Sequence, residues 1–123
     1  MLEKRQNSAS LSGMKTLLRE TGYLVEVGLS DADLARATGS AQSTARAWIN
    51  ETNPPTGERA ERIIELATLV ERLERVMERD YISVWLRKPI PMLDEDKPLD
   101  LIGQGEYRRV AKVISGLEDP GAS

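Results

Sequence analysis

Along several stretches of this chain, apolar residues recur three and four positions apart, and clusters of turn-forming residues separate the stretches. From Met14 to Val27, the apolar positions Leu17, Leu18, Leu24, Val25 and Val27 predict a helix. Gly22 weakens its middle and leaves open one helix or two short turns. Residues 1–13 ahead of it form a polar leader without periodicity, expected to fray at its start. Gly28 closes the segment. Ser30 then suits a helix cap, with Asp31 and Asp33 favoured in the first turn by the helix dipole. The helix from Ser30 to Thr38 turns Leu34, Ala35 and Ala37 toward a core and stops at Gly39, the residue best able to take a left-handed turn. In the next helix, Ala41 to Asn50, Ala45 and Trp48 share one face, while Gln42, Ser43, Arg46 and Asn50 lie elsewhere. Two short helices joined by a glycine turn describe a helix-turn-helix.

Asn53-Pro54-Pro55 ends that unit, because proline lacks an amide hydrogen and biases its predecessor toward extended backbone. A long helix follows from Thr56 to Met77, with Ile63, Leu66, Val70, Leu73 and Met77 forming a heptad-like seam widened by Ile64, Leu69 and Val76. The pattern leaves two uses open: intrachain core, or pairing with the same helix of a second chain to make a homodimer. Tyr81, Ile82, Val84, Trp85 and Leu86 predict a short helix terminated at Lys88-Pro89. A proline-restricted loop carries Met92, Leu93 and the acidic run Asp94-Glu95-Asp96, which lacks the ligand pattern of a calcium loop and reads as a solvated turn. Leu99, Leu101 and Ile102 make a further helical turn. The last helix, Glu106 to Leu117, places Tyr107, Val110, Ala111, Ile114 and Leu117 on one face and Arg108, Arg109 and Lys112 on another. The expected fold is all-α. Its divisions are a flexible leader (1–13), a helix-turn-helix domain (14–53), a connecting helix (54–79), a small C-terminal helical domain (80–117) and a flexible tail (118–123).

Composition narrows the chemistry. The 123 residues include no cysteine and no histidine, so thiolate and imidazole ligands, nucleophiles and bases are absent. The remaining carboxylates, lysines and hydroxyls form no catalytic arrangement, so no enzyme activity, cofactor or metal is expected. No apolar run approaches the roughly 20 residues that span a bilayer, and no signal-peptide core follows Met1. A cytoplasmic protein without membrane contact is expected.

A net charge of -3 argues against a general nucleic-acid glue. Any DNA contact must be local and geometric. Through Asn53 the chain holds six basic and six acidic side chains, and the excess acid lies beyond it.

Leu34-Ala35, Gly39, Ala45 and Trp48 resemble the Xre-type helix-turn-helix. That resemblance makes Ala41 to Asn50 the recognition helix. Gln42 and Ser43 would face base edges, with Gln suited to adenine, Arg46 would reach a phosphate or base, and Thr44 or Asn50 the DNA backbone. The plainer alternative leaves Gln42 and Arg46 merely solvated.

From Tyr81 to Leu117, the order Trp85, Pro89, Leu93, then Lys97-Pro98-Leu99-Asp100-Leu101-Ile102, then Gly105-Glu106-Tyr107 with Arg109-Val110, resembles the toxin-binding domain of Xre/MbcA/ParS-like antitoxins. Asp80, Arg62 and Ile64-Glu65-Leu66-Ala67 join the resemblance, which is nearest to the MbcA type and covers about Leu29 to Leu117. It implies an antitoxin that binds a RES-domain, NAD-degrading toxin, blocks its active site, and represses its own operon by binding operator DNA. Trp85 and Pro89 would shape the toxin-binding platform together with Arg87 and Lys88. Tyr107, Arg108, Arg109 and Lys112 would contact the toxin, and the tail beginning at Glu118 and Asp119 would occlude its pocket. Catalysis would belong to the partner. The alternative is a free-standing repressor with no toxin partner.

Overall fold

The computed structural model describes residues 2–122; Met1 of the expected leader and Ser123 of the expected tail lie outside them. Among the described residues there are seven α-helices and no strand. They are α1 (Leu2–Val27), α2 (Asp31–Thr38), α3 (Gln42–Ile49), α4 (Gly57–Leu73), α5 (Arg79–Arg87), α6 (Pro98–Gly103) and α7 (Tyr107–Glu118), with short 3-10 turns at Pro91–Leu93 and Pro120–Ala122. The fold is all-helical, as expected.

The first difference from the sequence reading lies at the start. The backbone from Leu2 to Gly13 is helical and continues into one α1 of 26 residues, where an irregular polar stretch is expected. No proline interrupts the segment. Gly13 and Gly22 both face open space, so each costs only the weak helix propensity of glycine, about 1 kcal/mol, and leaves the hydrogen-bond ladder intact. The choice at Gly22 between one helix and two turns therefore falls to one helix.

Local signals set the next boundaries. The Ser30 side chain accepts from the Asp33 amide while Asp33 accepts from the Ser30 amide, a reciprocal capping box that starts α2. Gly39, at φ 71°, ends α2 in the left-handed conformation. Helix α3 is one residue shorter at each end than expected, with Ala41 as its N-cap and Asn50 as its C-cap. Beyond α3, Glu51 takes φ 59°, a position where glycine is the commoner residue.

One hydrophobic cluster joins both halves of the chain. It runs from Leu24, Leu34 and Trp48 through α4 to Leu86, Leu99, Ile102 and Ile114. The seam of α4 belongs to this core: Ile63, Leu66, Val70 and Leu73 are fully buried within one chain, as is Leu69. The seam is covered within the chain by α1, α2, α6 and α7. Helix α4 also ends at Leu73, before Met77, and Ile64 of the widened seam is exposed.

Helix α2 packs across α6, and the crossing is tight at Gly103. A Cβ there would lie 2.2 Å from the backbone oxygen of Arg36, so only glycine fits. An Arg36–Asp100 ion pair at 3.0 Å flanks the same crossing. The small residue at this contact is Gly103.

Candidate functional site

The helix-turn-helix presents one face of α3 to solvent. Ala45 and Trp48 point into the core, leaving Gln42, Ser43, Arg46 and Asn50 exposed and Thr44 half-exposed. Gln42, Ser43, Arg46 and Asn50 of the residues expected to face DNA therefore share the accessible side, while Thr44 sits at its margin. They are not independent of the preceding helix. Asp31, the first residue of α2, accepts from Gln42 Nε2 at 2.9 Å through one carboxylate oxygen and from Arg46 Nε at 3.0 Å through the other. The Arg46 hydrogen bond holds the Asp31 carboxyl below the usual carboxylate range against an opposing push from desolvation, and Gln42 adds to the hold. Sequence reading assigned Asp31 only to the helix dipole. Its reach to residues 11 and 15 positions away had no local signal.

The C-terminal residues divide into a buried set and an exposed set. Trp85 is core, 7% exposed, on the inner face of α5 with Ile82 and Leu86. Arg87 does not project freely: it donates to both carboxylate oxygens of Asp33, at 2.9 and 2.6 Å, and to the Gly28 carbonyl. Burial alone would raise the Asp33 carboxyl, but the Arg87 guanidinium and the Ser30 amide outweigh it and keep the group below its usual range. Lys88 folds back over Tyr81, donating to its hydroxyl at 2.5 Å, and exposed Pro89 follows the end of α5. The outer face of α5 leaves Tyr81 and Val84 partly open to solvent.

On α7, Tyr107 packs half-buried against the core, while Arg108 and Lys112 are exposed and pair with no carboxylate among the described residues. Arg109 is engaged. It reaches Asp94, Asp96 and Glu106 at 3.4 to 3.9 Å and the Leu93 carbonyl, pinning the acidic turn to α7. That turn takes left-handed backbone at Asp94 and Glu95, and no group of three potential metal ligands occurs among the described residues. A shallow groove runs beside it, lined by Met92, Leu93, Val113 and Gly116 and edged by Arg109 and Lys112. Met92 is 72% exposed there.

The expected tail starts differently from the sequence reading. Glu118 is the last residue of α7 and is clasped by Arg72 of α4 at 2.6 Å, with Arg72 also donating to Ser115. The Arg72 hydrogen bond lowers the Glu118 carboxyl. Asp119 is the exposed C-cap, and a 3-10 turn follows at Pro120–Ala122.

Residues 23–66 match the Helix-turn-helix family. The chain is 28% identical over 99 residues to the mycobacterial cidal antitoxin MbcA of Mycobacterium tuberculosis (strain H37Rv) and to that of Mycobacterium bovis, spanning 80% of this chain and 88% of each relative. Its fold superposes with a TM-score of 0.73 and 27% identity on a chain of the crystal structure of the M. tuberculosis MbcT-MbcA toxin-antitoxin complex, covering 85% of this chain and 96% of the other. This chain is MbcA-like in sequence and in fold. The MbcA-like region extends well past the helix-turn-helix segment, since 99 aligned residues cannot fit within 23–66. The exposed faces of α5 and α7 therefore lie on a scaffold shared with MbcA, and no helix among the described residues is long and apolar enough to cross a membrane.

Proposed function

We propose that this chain is the antitoxin of a two-gene toxin-antitoxin module. Its C-terminal segment binds a RES-domain toxin and keeps NAD from the toxin's pocket, and its helix-turn-helix represses the operon that encodes both. The observation that carries this reading is the MbcA-like match over most of the chain, at 27% identity and a TM-score of 0.73. A helix-turn-helix alone would account for residues 23–66 and leave the C-terminal half without a role.

The mechanism is occlusion, so the chemistry stays with the partner. Lys112 and Arg109 supply cationic charge at the edge of the groove, exposed Arg108 adds to it from the same helix, and Met92 and Val113 line the groove with apolar area. Charged rims steer the encounter and a desolvated apolar centre provides most of the binding energy. Trp85 and Arg87 support the fold that carries this surface, as packing and as a tie to α2. The tail that begins at the α4-clasped Glu118 would occlude the toxin's pocket. Functionally, residues 14–53 serve DNA and 80–117 serve the toxin, with 54–79 joining them, all in the cytoplasm.

On the DNA side, Gln42 and Ser43 read base edges, Arg46 reaches a phosphate or base, and Thr44 or Asn50 contacts the DNA backbone. The front half is neutral and Asp31 adds a negative charge beside α3, so a single recognition helix binds weakly. Repression then requires assembly, either as a homodimer through a surface other than α4 or with the toxin, because a second helix held on the same duplex binds in effect intramolecularly. Operator binding of the chain alone and of its complex, measured side by side, tests this: equal affinity for a forced monomer would remove the assembly requirement.

A further inference from the structure

The Asp31 carboxylate takes one hydrogen bond from Gln42 and one from Arg46, and the chemistry of those bonds decides how Gln42 meets a base. An ionised carboxylate is acceptor-only. Gln42 must therefore turn its amide nitrogen toward Asp31, with one N–H committed to the bond at 2.9 Å. What remains for an incoming duplex is the Oε1 acceptor and a single N–H donor. In the major groove adenine offers one donor and one acceptor, N6–H and N7, whereas guanine offers two acceptors, O6 and N7. A freely rotating glutamine could present both N–H groups to guanine. The Gln42 held by Asp31 cannot, and its remaining pair complements adenine.

We propose that Asp31 is a specificity-setting residue of the helix-turn-helix: it locks Gln42 into an adenine-reading orientation and holds Arg46 alongside, at the cost of general DNA affinity. The proposal rests on the DNA-binding reading above and adds to it a residue that touches no base. The cost follows from placement. Asp31 opens α2 next to the recognition helix, so its charge opposes phosphate, and Arg46 donates its Nε to Asp31 and keeps only its terminal nitrogens for DNA.

The test uses the full-length chain and its Asp31→Ala, Asp31→Asn and Gln42→Ala variants, each checked for native helicity and melting temperature. Each is put through selection from a randomised duplex library, followed by titration against the selected duplex, its adenine-to-guanine version and a scrambled duplex at several salt concentrations. The wild type is expected to enrich an adenine that Gln42→Ala no longer enriches. Asp31→Ala should lower the adenine-over-guanine preference at that position by about tenfold, within the range a bidentate contact supplies. It should also bind the scrambled duplex more tightly, with a salt slope steeper by about one. Asp31→Asn keeps one acceptor and should retain an intermediate preference. If Asp31→Ala binds all duplexes more tightly with the adenine preference undiminished, Asp31 only masks the helix and the proposal is overturned. A wild type that binds no duplex, alone or with its toxin partner, would instead overturn the DNA-binding reading itself and this inference with it.

Discussion

Arg87 grips both carboxylate oxygens of Asp33, at 2.9 and 2.6 Å, and so ties the last turn of α5 to the capping box that starts α2. Asp33 is only 4% exposed, which makes Arg87 the main charge partner of a buried anion. Arg87→Met should therefore destabilise the fold by about 1 to 3 kcal/mol in urea unfolding at neutral pH, less than for a fully buried pair because Arg87 is partly exposed. The pH dependence has a definite sign. The folded Asp33 carboxyl is lowered, so its contribution is complete above the unfolded value near 4 and is lost as pH falls through the folded value. In the variant, unpaired burial favours the protonated acid. The gap between wild type and Arg87→Met should shrink as pH drops below about 4.

The α2–α6 crossing makes a steric prediction. Gly103→Ala places a methyl where the Arg36 backbone oxygen stands, and backbone cannot swing aside as a side chain would. The expected cost is about 2 kcal/mol or more, read from chemical denaturation. Gly22→Ala is the control: nothing lies within 4 Å of its Cβ, and the substitution should stabilise α1 by up to about 1 kcal/mol. Equal effects at the two positions would contradict the close approach.

Burial separates two ways of losing toxin neutralisation. Trp85→Ala should cost about 3 to 5 kcal/mol and abolish protection by unfolding the chain. Lys112→Glu lies on the exposed face of α7 and should leave the melting temperature nearly unchanged while raising the Kd for the toxin. A Lys112→Glu protein that binds as tightly as wild type would move the interface off this face.

The Arg72–Glu118 clasp predicts a local effect. Glu118→Gln should leave global stability nearly intact and quicken amide hydrogen exchange in the last turn of α7, around Ser115 and Asp119. Unchanged exchange would mean that Arg72 does not anchor the end of the helix.

The helix-turn-helix was legible because its signals are local. Ser30, Asp33 and Gly39 act within one or two turns of their own positions, and the Ala45 and Trp48 spacing orients α3. The α4 seam was legible as apolar but not as intrachain, since periodicity gives a buried face and says nothing of what covers it. What escaped was long-range pairing between exposed-looking charges. Arg87 to Asp33, Arg72 to Glu118 and Asp31 to Arg46 join residues whose separation carries no pattern. Arg87 and Glu118 therefore read as free surface groups when the fold uses both. Gly103 left one trace: a glycine inside a helical turn costs stability unless something approaches closely.

The most direct test of the antitoxin reading is an NAD-consumption assay on the protein encoded beside this chain, co-expressed and purified with and without it. The expected result is a stable complex in which NAD loss stops, with activity returning when the chain is removed. If the neighbouring protein forms no complex with this chain, or consumes NAD equally in its presence, the antitoxin assignment is contradicted.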